Sequence, residues 1–301
     1  MHPTHAPAAV HDDPQAFKEL ITRPQVAWPT VGLFGVALVA YLGSTVMGVT
    51  GGWPTWASVA LNAVCAYWMF TVVHDASHNS LSLHRWFNDG VGRIASLTLL
   101  PLPIFRAFRF IHMQHHRFSN EADDPDHWVG QGSKWTLLLR CALMDLHYLV
   151  WYAPRIKARP RDEVRDTVVS AIVGVAVLAA LISLGWGWEV LLFWLLPARI
   201  AVTFLALAFD YWPHSPYKAT EAENKYIATS VRAGGEWWLT PLLLAQNYHL
   251  VHHLYPLVPF YRYVQVWRAR ERFHLAQSPL IVSVGGQELS QAAYLAARSR
   301  G

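Results

Sequence analysis

The chain has 301 residues, of which 53% are hydrophobic and only 15% charged, against about 25% charged in an ordinary water-soluble domain. The net charge is +4 and the mean hydropathy is positive, at +0.19. This composition argues against a freely soluble domain and for a membrane protein, and two cysteines far apart in apolar runs, Cys65 and Cys141, give neither a disulfide framework nor a CxxC pair.

In chain order, residues 1–25 carry scattered charges (Asp12, Asp13, Lys18, Glu19, Arg23) and no apolar stretch with a small-residue cleavage site. They read as a mobile cytoplasmic tail rather than a signal peptide. No charged side chain lies between Arg23 and His74. That length suits two spans of roughly 20 residues each. They are placed at 27–49 and 54–76, with Val49-Thr-Gly-Gly-Trp-Pro54 as the turn. The apolar stretches 87–105 and 135–152 read as helices at the interface or tucked under the bundle. A second pair of spans follows at 167–184 and 189–212, turning at Gly185-Trp-Gly-Trp188. Arg199 interrupts the last of these, and a lone arginine in a span tends to face protein or water. Residues 276–301 form a C-terminal tail with a peripheral helix near 287–299, so 26–275 is the expected membrane domain.

The two inter-span turns contain no Lys or Arg, whereas 85–165 holds many, among them Arg85, Arg106, Arg109, Lys157 and Arg165. The positive-inside rule places that segment in the cytoplasm, with both termini. Basic residues beside apolar segments belong to membrane flanks, so nucleic acid is not an expected partner. The fold class is therefore all-α: an integral, multi-pass membrane protein of four transmembrane helices in two hairpins under a cytoplasmic helical cap. In a bacterium this would be the inner membrane.

Sixteen histidines are present, and they cluster. His74-Asp-Ala-Ser-His78, His112-Met-Gln-His115-His116 and His249-Leu-Val-His252-His253 each place imidazoles at i, i+3 or i+4, on one helix face. His214 follows the fourth span, four residues after Asp210. Imidazole suits Zn, Cu, Fe and Ni. All four places lie at the cytoplasmic ends of spans or in cytoplasmic segments, so they can converge. Nine imidazoles exceed the four ligands of a single zinc, which favours two metal ions. The remaining histidines (His2, His5, His11, His84, His127, His147, His274) read as structural or solvated. Asp75, Asp123, Asp124 and Asp126 lie near the boxes and can orient ligand rings.

These three boxes resemble those of the membrane fatty-acid desaturase and hydroxylase superfamily, over about residues 50–265. The resemblance implies a di-iron centre held by His74, His78, His112, His115, His116, His214, His249, His252 and His253, with O2 as co-substrate and no catalytic residue apart from the metal site. Asp210-Tyr-Trp-Pro-His214 is similar to the family's additional ligand segment, with Asp where acyl-CoA desaturases often carry Asn. Asp210, Asp126 and Asn247 join Asp75 as expected supports of the ligand rings. His115-His116-Arg-Phe-Ser-Asn120 with Asp124-Pro-Asp126, and Asn247 through Pro256 with Pro259-Phe-Tyr-Arg-Tyr263, resemble bacterial carotenoid hydroxylases and ketolases. The function implied is hydroxylation of a carotenoid ring like that of β-carotene. Fatty-acyl lipid desaturation is the alternative, and alkane hydroxylation stays open.

With no GxGxxG, no CxxCH and no cysteine cluster, electrons must come from a separate donor such as ferredoxin. The basic segment, including Arg106 and Arg109, suits docking of an acidic protein. Two rivals fit less well. A zinc protease would need Glu where HDASH has Asp, and a metal transporter would hold its ligands near the bilayer midplane.

Overall fold

A computed structural model describes residues 14–298. Residues 1–13 of the expected tail, with His2, His5 and His11, and position 299 of the expected peripheral helix lie outside the described residues.

Four helices are long and apolar enough to cross a membrane. They are α2 (Trp28–Val49), α3 (Thr55–Ser77), α9 (Arg161–Ser183) and α10 (Gly187–His214). Their outer faces expose Val39, Leu42, Ile172, Val175 and Phe204, an extended apolar surface. Exposed Trp53, Trp56, Trp186 and Trp188 cluster at the two short turns, as expected of an interfacial aromatic belt. The all-α expectation holds, with two four-residue strands as an addition.

Proline shapes α2 and α10. In α2, Pro29 stands in the first turn, where its missing N–H costs nothing. In α10, Pro197 cannot donate to the carbonyl of Phe193, four residues back. A π turn (Leu191–Leu195) forms there, and the freed carbonyl accepts from Tyr41 Oη at 3.0 Å and Asn62 Nδ2 at 2.9 Å. One orphaned acceptor thus ties α2 and α3 to α10. Gly48 lets the Phe193 ring approach, since a Cβ there would lie 2.5 Å from it. A second π turn, Ala206–Tyr211, precedes Pro213 and brings α10 to His214.

The intervening segment departs from the expected long helices. The stretch 87–105 divides into α4 (Arg85–Ser96) and an irregular loop before α5 (Phe105–Phe118). Pro101 and Pro103 lack the N–H groups that would continue α4. Gly174 of α9 lies against this loop, where a Cβ would meet the Pro101 carbonyl at 2.2 Å. Beyond the single turn α6 (His127–Gly130), the stretch 135–152 becomes α7 (Leu137–Ala142) and α8 (Met144–Tyr152). Both pack against α10. There Arg199 bonds bidentately to Asp145, at 2.6 and 2.9 Å, and also donates to the Ala142 carbonyl. The isolated charge read from the sequence is therefore half of an ion pair.

After α11 (Glu221–Asn224), the C-terminal region folds around the third histidine box. Strand β1 (Ser230–Ala233) pairs in parallel with β2 (Leu280–Ser283), flanking α12 (Glu236–Leu242), α13 (His249–Leu254), α14 (Tyr263–Ala269) and α15 (Glu271–Ala276). Val231, Ile281, Leu250, Val251, Tyr263 and Trp267 form the core of this region. Residues 276–301 were expected as a tail with one peripheral helix. They supply β2 and α16 (Gln291–Arg298), whose Tyr294 is buried on Trp267 and donates to Glu271 at 2.6 Å. Residues 14–21 were expected within a mobile tail. They form α1 (Pro14–Ile21), whose Phe17, Leu20 and Ile21 pack on the same core. In both places an apolar face that looked too short to matter finds a core to cover.

The Arg199–Asp145 pair lies in an apolar setting, so removing one partner strands the other. Asp145→Leu alone should destabilise the detergent-solubilised protein by ~2–3 kcal/mol, somewhat below fully buried pairs because Arg199 is part exposed. The double variant Asp145→Leu/Arg199→Met should recover most of that loss in thermal unfolding.

Candidate metal centre

Nine imidazoles from four distant segments meet at one place. His74 lies on the last turn of α3 and His78 caps it. His112, His115 and His116 project from α5, His214 ends α10, and His249, His252 and His253 belong to α13. His74, His78, His112 and His252 form one group, and His115, His214, His249 and His253 a second. Within each, candidate ligand atoms lie within 4.8 Å of one another. His116 joins His252 and His253 and so stands between the groups. All but His116 are classed as buried.

The inner nitrogens are Nε2. Those of His74 and His252 approach to 3.0 Å, His78 and His112 to 2.8 Å, His252 and His116 to 2.8 Å, and His253 and His249 to 3.1 Å. On the outer side, several Nδ1 atoms face oxygen. His115 Nδ1 donates to Asp124 Oδ1 at 2.9 Å, His214 Nδ1 to Asn120 Oδ1 at 3.1 Å, and His249 Nδ1 to Gln246 Oε1 at 2.9 Å. His252 Nδ1 lies 3.0 Å from the Tyr263 hydroxyl. A ring that donates from Nδ1 keeps its Nε2 lone pair bare. Among the described residues, buried His214 Nε2 has no hydrogen-bond partner. Converging bare lone pairs repel one another and suit a cation, so the residues fit a metal pair.

Electrostatics agree. Burial first, then the neighbouring rings, push His78, His112, His116, His249, His252 and His253 well below the usual imidazole value. These rings are neutral, the form that binds metal. His115 differs: burial opposes its charge, but Asp126 and Asp124 outweigh burial and push it up to about 10. A field that favours a proton on this ring also favours a bound cation.

The expected supporting residues divide. Asp126 lies 3.3 Å from His115 Nδ1 and accepts from Tyr148 Oη at 2.7 Å. Asp124 is the direct partner of His115 and also accepts from the Asn120 and Asp126 backbone. Asp75 stays 3.9 Å from His74 Nδ1; it accepts from Thr30 Oγ1 at 2.8 Å and from the Phe260 N–H at 3.3 Å, anchoring α2 and the 259–262 turn to the first box. Asn247 donates to Thr240 Oγ1 at 3.1 Å and to the Arg232 carbonyl, not to a histidine. Asp210 faces a cleft, and Asp123 pairs with Arg155 at the surface. His84, His127, His147 and His274 stay outside both groups; the last three stack on Tyr217, Trp128 and Trp267.

Three residues were given no role from the sequence: Asn120, Gln246 and Tyr263. Asn120 adopts φ 68°, a left-handed conformation that Asn tolerates, and its amide also donates to the Ala219 and Ala228 carbonyls at 2.7 Å. Gln246 stands three residues before His249, a helical spacing that was a usable signal. Tyr263 comes from a separate helix, and no local spacing announces it.

An apolar cleft of about 100 Å³ lies beside the first group. Phe70, Phe108, Ile111, Leu149, Val202 and Ala206 line it, with Ser96, Asp145, Tyr148 and Asp210 as polar exceptions. Phe108 stacks on His112 at 5.8 Å, and Phe70 lies 6.2 Å from His74, so two rings of the cleft wall back directly onto imidazoles of the first group. Arg106 and Arg109, expected to face a donor protein, are engaged internally. Arg106 pairs with Asp89 and Asp162, and Arg109 with Asp89.

Residues 51–283 match the family model described as fatty acid desaturase. The chain is 26% identical over 270 residues to the sn-1 oleoyl-lipid 12-desaturase of Picosynechococcus sp., covering 79% of this chain and 75% of that protein. It is 27% identical over 222 residues to the chloroplastic omega-6 fatty acid desaturase of Glycine max, covering 64% of this chain and 50% of that one. It is also 26% identical over 219 residues to the dihydrorhizobitoxine desaturase of Bradyrhizobium elkanii, covering 64% and 60%. The chain thus spans between half and three quarters of these relatives. With the match running from the turn before α3 through β2, the chain belongs to the fatty acid desaturase family.

Proposed function

We propose that the protein is a membrane di-iron desaturase that introduces a double bond into an acyl chain of a membrane lipid. The observation that carries this reading is an apolar cleft whose Phe70 and Phe108 walls pack on His74 and His112. An acyl chain threaded there lies in a water-poor channel with one methylene pair beside the histidine groups. Relatives named as oleoyl-lipid and omega-6 desaturases support the same reading. Carotenoid hydroxylation, expected from the finer motif likeness, gives way to the acyl-lipid alternative, because the boxes it rested on serve the whole superfamily.

An iron pair held by the nine histidines would supply the O2 chemistry that no side chain provides for an unactivated C–H bond. The reaction balances as –CH2–CH2– + O2 + 2 electrons + 2 protons giving –CH=CH– + 2 H2O. The electrons come from a separate one-electron carrier such as ferredoxin. Asp124, Asn120 and Gln246 hold His115, His214 and His249 in the orientation that turns Nε2 inward. Phe70, Phe108 and the aliphatic wall exclude water and fix the chain. Positive loops and tryptophan belts support a four-span topology with the histidines on the cytoplasmic side, in the inner membrane if the source is bacterial.

Expression in a bacterium that makes both monounsaturated lipids and β-carotene tests the reaction. Additional double bonds in lipid acyl chains are expected in the fatty-acid profile. Hydroxylated pigment with unchanged acyl chains would refute desaturation and restore the hydroxylase reading. Filling the cleft should separate chemistry from metal loading. Ala206→Trp should cut turnover about 100-fold by displacing the chain, with metal content unchanged. Ring orientation is tested by Asp124→Ala, which should weaken Fe2+ retention about 10–100-fold in equilibrium dialysis. Exposed Asp123→Ala, next door, should leave retention unchanged.

A further inference from the structure

We propose that Arg109 is a positioning residue that sets the distance between the first and second histidine boxes and thereby controls metal occupancy of the group His74, His78, His112 and His252. The inference rests on reading that group as a metal site, and concerns what holds it in register. α3 ends at Ser77, so its last carbonyls depend on partners beyond the helix, and that of Ala76 already accepts from the Asn79 N–H at 3.1 Å. The Arg109 guanidinium takes two of them: Nε donates to the Ser77 carbonyl at 3.1 Å and Nη2 to the Ala76 carbonyl at 3.0 Å. Its third edge meets Asp89 of α4, with Nη1 2.6 Å from Oδ1. The guanidinium carbon also sits 4.8 Å from the centre of the Phe105 ring. The side chain is 11% exposed, inside the protein rather than at a docking surface.

Place in the sequence gives this clamp its meaning. Ala76 and Ser77 lie between His74 and His78, so the guanidinium grips the peptide units that join the two ligands of the first box. Arg109 stands three residues before His112, on the same face of α5. One side chain therefore connects the backbone of the first box to the helix of the second, across which His78 Nε2 and His112 Nε2 lie 2.8 Å apart.

Lysine could not do the same, because two carbonyls and a carboxylate in three directions need a planar fork. A cation at the C-terminal end of α3 is favoured by the helix dipole. The same cation would repel a nearby metal ion, and Asp89 offsets that charge. Asp89 thus has two jobs in one contact: it fixes the guanidinium and neutralises it.

The test uses the full chain purified in detergent, stripped of metal and titrated with Co2+. Wild type, Arg109→Lys, Asp89→Asn and Arg93→Lys are compared; Arg93, which pairs with Asp166, is a similarly part-buried arginine away from the boxes. Bound Co2+ per chain, the visible Co2+ absorption and the unfolding temperature are read together. Arg109→Lys and Asp89→Asn should each weaken one of two bound Co2+ ions about 10–100-fold and alter part of the spectrum, while the other ion stays. Arg93→Lys should keep both ions and the wild-type spectrum. Two ions bound by Arg109→Lys with wild-type affinity and spectrum would overturn the proposal, as would equal loss of both ions. Should Arg109→Lys fail to fold, Asp89→Asn decides by the same criteria. A wild-type chain that takes up no pair of ions would instead overturn the metal-centre reading, and this inference with it.

Discussion

The rest of the structure answers to one constraint: nine imidazoles, eight of them buried, must converge with their inner nitrogens bare. A buried polar atom without a partner is costly, and a bare lone pair on one edge of a ring needs a fixed tautomer on the other. The second and third boxes therefore bring their own supports. The 119–126 loop exists in its observed form to deliver Asp124 to His115 and Asn120 to His214, and its left-handed Asn120 lets the backbone turn back on itself. The 259–263 segment returns to place Tyr263 against His252, while its Phe260 N–H is held by Asp75 of the first box. Loops that look irregular in outline are regular in this respect.

Membrane helices make such a centre possible because they supply stiff ends. α3 and α10 each terminate in a ligand, His74 with His78 and His214 respectively. Their relative placement is fixed far from those ligands, where Phe193 offers its freed carbonyl to Tyr41 and Asn62. Apolar contact alone is a weak guide between helices in lipid, since lipid tails are as apolar as leucine side chains. Directional bonds inside the bundle, together with Arg199 and Asp145, supply the specificity that the hydrophobic effect supplies in water. Proline at 197 is in this light a device for exposing an acceptor at a chosen height.

Much of this was legible in the sequence, and the remainder failed for identifiable reasons. The four helices announced themselves because charge is absent or sparse over lengths that lipid demands; observed ends differ from expectation by at most one residue in α2 and α3. α9 begins six residues earlier, since Asp162 and Glu163 suit a helix N-terminus although they are polar. The histidine groups were visible because helical spacing puts three ligands on one face. What stayed hidden depends on contacts between distant segments. The parallel pairing of Ser230–Ala233 with Leu280–Ser283 joins residues fifty positions apart, and neither strand alternates, because both are buried on all sides. Asp75, adjacent to a ligand, was read as that ligand's support, yet adjacent residues on a helix point in different directions, and its carboxylate serves Thr30 and Phe260 instead.

The same distinction explains why the boxes speak to chemistry but not to substrate. HDASH, HMQHH and HLVHH build the candidate metal centre, and their spacing answers to that centre rather than to a substrate. The wall of the cleft comes from elsewhere: Phe70 one turn before the first box, the 99–108 loop and helix start, Met144 to Leu149, and Val202 to Asp210. These positions obey no ligand geometry, so motif likeness carries no weight there, and an argument from boxes toward a carotenoid ring exceeded its grounds. The four polar side chains on that wall mark no single end of it: Tyr148 donates to Asp126 beside the histidines, whereas Asp145 is held by Arg199 of α10. Both are satisfied by partners behind the wall, which leaves the wall itself largely apolar.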